Sequence, residues 1–171
     1  SDVCAMGGPG DAHITARPKD IRDYESQVAG RWVHYIDSAT GERAFTDSGR
    51  RINVHIVSDE SVLACLQLGS QKWGSVNIFD PDEFKDRAVR LAAQHGIKLS
   101  NPDLAARVEQ IQADKKALAQ AAFEVQKAAA AEDLRAKNAL REQVKAEKAA
   151  AAQAAAATEK AQKARDHAEL A

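Results

Sequence analysis

The sequence predicts an α+β fold: a small domain of about five short strands and two helices, followed by a long C-terminal Ala-rich helix. Three observations carry this. Apolar residues alternate with period 2 over 32–37, 43–46 and 51–57. They then recur at helical spacing in two stretches, 58–73 and 80–95. After Pro102 no Gly or Pro appears, and Ala takes 24 of the 59 residues from Ala113 onward, among Lys, Arg, Glu and Gln, the other strong helix formers.

Residues 1–29 read as a flexible linker. Gly7-Gly8-Pro9-Gly10 offers little to pack, and a short helix over 19–27 would place Ile21, Tyr24 and Val28 on one face. The opening Ser-Asp-Val suggests a piece of a longer polypeptide. Residues 30–101 read as the core domain. Trp32, His34 and Ile36 alternate with Val33, Tyr35 and Asp37 in a first strand. Turns at 38–41 and 47–49 then lead to a second strand over 43–46 and a third over 51–57. Ser58 caps a helix whose stripe is Val62, Leu66, Gly69 and Trp73, and Gly74 stops it. Val76, Ile78 and Phe79 suggest a short strand. Asp80-Pro81 opens a second helix with inner residues Phe84, Ala88, Leu91 and Ala92, closed by Gly96. Ile97 to Leu99 is expected as a last short strand. Residues 102–171 read as one helix, ~105 Å if unbroken. Its heptad seam of Leu104, Val108, Ile111, Leu118 and Val125 suits a partner helix or a weak homo-oligomer, because Lys115 interrupts it.

Composition excludes several classes of function. Residues 1–101 carry 12 Lys+Arg against 14 Asp+Glu, and residues 102–171 carry 12 against 11. Neither part is basic, which argues against a strong, non-specific grip on nucleic acid. No apolar run approaches the ~20 residues of a membrane span, and no signal-peptide pattern is present. The only cysteines, Cys4 and Cys65, form neither a disulfide framework nor a metal motif.

No catalytic constellation emerges. His34 and His55 can be neighbours across strands, but two imidazoles without a third ligand are not a metal site. Cys65 reads as a small buried hydrophobe. Asp80, Asp82, Glu83 and Asp86 read as acids favoured by a helix N-terminus, and 7–10 lacks the Lys-Ser/Thr end of a phosphate loop. No metal and no cofactor is expected. Arg50, Arg51, Lys72 and Trp73 form the one combination suited to a nucleic-acid backbone and a stacked base. The competing reading has Trp73 packed on the sheet.

The segment Gln67-Leu68-Gly69-Ser70-Gln71-Lys72-Trp73-Gly74, with Phe45-Thr46-Asp47-Ser48-Gly49, Phe84, His95-Gly96 and Asn101-Pro102, resembles the large polyvalent protein-associated domain of the seventh type over about residues 30–104. Gly69 departs from the small helix former usual there, which points to close packing. The resemblance implies a place C-terminal to the relaxase domain of a conjugative mobilisation protein, in the cytoplasm or translocated with the parent protein. It implies a non-catalytic accessory module for protein–protein recognition or recruitment to the type IV secretion machinery. Its partners would be a coupling protein or relaxosome proteins. The alternative is an auxiliary DNA-binding module of the same protein. Tyr24 and Tyr35 have no histidine triad that would make either one a strand-transferring nucleophile.

Overall fold

The computed structural model describes residues 4–170; Ser1 to Val3 of the expected linker and Ala171 of the expected helix lie outside the described residues. The chain divides into two compact units, Ser1–Ala117 and Leu118–Ala171.

The first unit is an α+β domain. Its strands are β1 (Cys4–Gly7), β2 (Tyr24–Ala29), β3 (Trp32–Asp37), β4 (Arg43–Asp47), β5 (Arg51–Val54) and β6 (Asn77–Ile78). They form one antiparallel sheet in the order β2-β3-β4-β5-β1-β6. Helices α1 (Asp59–Trp73) and α2 (Asp82–His95) follow, and α3 (Pro102–Leu170) begins in this unit.

The linker expectation fails at Cys4–Gly7 and Tyr24–Ala29, which are strands. β1 lies inside the sheet, between β5 and β6, with Met6 fully buried. Residues 24–29 are a strand paired with β3, not the end of a helix. A strand of four residues among glycines carries almost no local signal, because its stability comes from neighbours distant in sequence. The strand expected over 97–99 shrinks to one parallel bridge between Val76 and Leu99.

The remaining elements follow their local chemistry. Ser58 caps α1 in a reciprocal capping box with Ser61. Gly96 closes α2 in the left-handed conformation. The core lies between one face of the sheet (Met6, Val33, Tyr35, Phe45, Ile52, Val54) and the inner faces of α1 and α2 (Val62, Leu66, Phe84, Ala88, Leu91). Tyr35 stacks on Phe45 with ring centroids 4.7 Å apart. Cys65 is buried in this core, as a small hydrophobe would be. Gly69 lets α1 approach closely: a Cβ there would sit 3.0 Å from Val76 Cγ2 and 3.2 Å from the Trp73 ring. Leu104 and Val108 complete the core from the first turns of α3.

The second unit is the remainder of α3. Its exposed faces carry the i,i+4 ion pairs Asp133–Lys137 at 3.0 Å and Glu159–Lys163 at 3.5 Å, each worth a few tenths of a kcal/mol.

Candidate functional site

The four residues singled out for nucleic acid do not form one presented surface. Lys72 donates to Asp47 Oδ1, and both side chains are almost wholly buried. Asp47 Oδ1 also accepts from the Gly49 amide at 2.9 Å. Lys72 therefore ties the C-terminal end of α1 to the β4–β5 turn. Trp73 is partly buried against the core, with its indole nitrogen buried. A Cβ at Gly8 would lie 2.7 Å from its ring, so β1 and the turn after it close over the indole. Lys72 Nζ lies 4.9 Å from the same ring. These two residues have structural work, whereas Arg50 and Arg51 remain exposed.

Strand alternation gives the sheet a second face, opposite the core. It receives Trp32 and His34 from β3, Thr46 from β4, Arg51 and Asn53 from β5, and Ala5 and Gly7 from β1. Trp32 is 54% exposed and meets His34 edge-on at 6.4 Å. The Arg51 guanidinium stands 4.6 Å over the centroid of Phe79. A Cβ at Gly7 would meet the Phe79 ring at 3.3 Å, so that ring lies close against β1. Beside Trp32, at the β2–β3 turn, is a cleft of about 560 Å³ whose walls include His13, Arg31 and Ser48.

His34 and His55 are neighbours, as the sequence suggested. Each ring sits 2.8 Å from the Thr46 hydroxyl, His34 through Nδ1 and His55 through Nε2. Burial, then the nearby Arg43 charge, lowers the pKa of both; His55 is lowered further by His34. Among the described residues no group of three or more His, Cys, Asp or Glu is placed to hold a metal. Both tyrosines are held protonated. Burial, then Asp37, pushes Tyr24 up to about 12, and burial raises Tyr35.

The acids around the start of α2 are engaged locally. Asp80 pairs with Lys85 at 3.2 Å and Asp86 with Arg107 at 2.9 Å, while Asp82 and Glu83 stand in the first turn. The expected heptad seam divides. Leu104 and Val108 are buried in the domain, whereas Ile111, Leu118 and Val125 are exposed. Sequence reasoning placed Trp32 in its strand without giving it a role. The signal was present: period 2 puts Trp32 on the side opposite Val33 and Tyr35, where nothing apolar is expected to cover it.

No curated protein and no solved structure matches this chain. No helix among the described residues is long and apolar enough to cross a membrane. The family model of large polyvalent protein-associated domain 7 matches residues 19–112. That span takes in β2 to β6, α1, α2 and the docked turns of α3, and it exceeds half of the 171 residues. The chain therefore belongs to the large polyvalent protein-associated domain 7 family.

Proposed function

We propose that this chain is a non-catalytic accessory module of a conjugative relaxase or mobilisation protein. In this reading it acts in the cytoplasm by recognising proteins of the relaxosome or the secretion machinery. One observation carries the reading: the second unit leaves Leu118, Phe123, Val125, Leu134 and Leu140 at 56–73% exposure along one helix. A helix with this much apolar surface left in water gains by laying it into a groove or against another helix. Leu118 and Val125, one heptad apart, supply the anchor spacing.

The test is a mobilisation protein that carries this module, with Leu118→Ser and Val125→Ser introduced together. Plasmid transfer and binding to the purified coupling protein should fall, while nicking at the transfer origin stays intact. Unchanged transfer and unchanged coupling-protein binding would sink the reading.

A further inference from the structure

We propose that the helix-free face of the sheet binds single-stranded nucleic acid, with Trp32 and the Arg51–Phe79 pair as its stacking positions. This site is separate from the helix surface invoked above and stands or falls independently of it.

Arg51 pairs with Gly7, and the Phe79 ring lies over Gly7. Trp32 opens β3 at the same end of the sheet, beside the β4–β5 turn. The aromatic positions thus share one end of one face. β3 and β6 are four strand spacings apart, about 19 Å at ~4.8 Å each. Between them the face is built from Ala5, Gly7, Thr46 and Asn53; Ala5, Gly7 and Thr46 are buried, Thr46 against the His34 and His55 rings and Gly7 against Phe79, and Asn53 is half-buried. The exposed indole toward one side and the Arg51–Phe79 pair toward the other offer two stacking positions for unstacked bases, since every base offers a π-face. The cleft of about 560 Å³ beside Trp32 gives a base room to insert edge-on to His13 and Ser48.

The net charge of the domain hides a segregation. Arg87 and Arg90 both bind Asp59, and Arg107 binds Asp86, all on the helical side. Among the described residues, by contrast, no carboxylate lies within ion-pairing distance of Arg31, Arg43, Arg50 or Arg51. Arg31 and Arg50 occupy the two turns at the Trp32 end, Arg51 opens β5, and Arg43 opens β4 at the opposite end. Glu25 on the edge strand shares this face. Unpaired guanidinium groups bordering a stacking surface suit phosphates between bases. An acidic peptide would satisfy the arginines but leave the exposed indole without a matching group.

The test uses the full chain and fluorescence anisotropy with labelled oligothymidylate of about 15 nucleotides. Matching arms are oligouridylate, a DNA duplex and polyglutamate. Single strands should bind at low salt and better than duplex; the stronger of the deoxy and ribo forms assigns the natural ligand. Trp32→Ala should weaken binding at least about fivefold. Arg51→Ala should also lower the log–log salt slope by about 0.7, whereas Arg90→Ala, an equal loss of charge on α2, should change little. Circular dichroism checks that each variant is folded. No single-strand binding at low salt overturns the proposal. So does binding that Trp32→Ala leaves intact, and so does capture of polyglutamate without the oligonucleotides, which would make the face a protein site.

Discussion

At the scale of single residues, the strongest constraints fall where the sequence looked emptiest. Gly8 is buried, and any Cβ there collides with the Trp73 ring at 2.7 Å. Gly8→Ala should therefore destabilise the domain by about 1–3 kcal/mol, the usual range for overpacking; a linker glycine would instead give no change in thermal melting. Lys72 and Asp47 are a buried ion pair. Lys72→Met strands the Asp47 charge and should cost about 3–5 kcal/mol. Adding Asp47→Asn should restore part of that loss in denaturant titrations, because a neutral amide still accepts from Gly49. Additive losses would mean the two side chains do not act as a pair. The imidazoles give a signed pH dependence. Their folded pKa values lie below the ordinary 6.5, so the unfolded chain takes up protons first as pH falls. Stability is complete above 6.5 and is lost progressively below it. His34→Gln with His55→Gln should flatten the melting temperature over that acidic range. An unaltered slope would assign the pH dependence to other groups.

At the scale of elements, what was legible depended on whether a signal was local. α1 and α2 were readable to within a residue or two, because Ser58, Gly74, Pro81 and Gly96 mark their ends with chemistry that acts on adjacent backbone groups. β3 and β4 were readable from alternation. β1 was not, since a four-residue strand paired with residues about 44–50 positions away has no periodic pattern to show. Gly69 was correctly read as a point of close packing. The quartet Arg50, Arg51, Lys72 and Trp73 was only half separable. Sequence puts Arg50 and Arg51 at a turn and Lys72 and Trp73 at the end of α1, and only the fold shows that Asp47 and Gly8 occupy Lys72 and Trp73. The same fact revises where the domain can be cut. A chain of residues 30–101 keeps both helices but lacks β1, leaving β5 and β6 unjoined and the Met6 site open. It should show no cooperative thermal transition, whereas residues 1–117 should melt sharply. Cooperative melting of the shorter span would show that β1 is dispensable.

At the scale of the whole molecule, the two units draw their stability from different sources, and heating should reveal it. The first unit buries aromatic and aliphatic side chains from three layers of contact: Met6 and Phe45 on the sheet, Leu66 and Phe84 on the helices, and Leu104 on the start of α3. Its unfolding exposes all of them together, so it should be cooperative. Among its described residues the Leu118–Ala171 unit buries no large side chain; Leu118, Val125, Leu134 and Leu140 stay mostly in water. Only propensity and exposed ion pairs hold it, and helices held that way lose structure gradually from their ends. Far-UV circular dichroism of the full chain should therefore fall along a broad slope with a sharp step superimposed. The near-UV signal of Trp32 and Trp73, both in the first unit, should follow the step alone. Deleting residues 118–171 should remove the slope and leave the step nearly in place. If the whole far-UV signal instead collapses in a single transition whose midpoint rises with protein concentration, the exposed helix surface is already buried in an assembly of this chain with itself. The recognition reading would then have to begin from that oligomer.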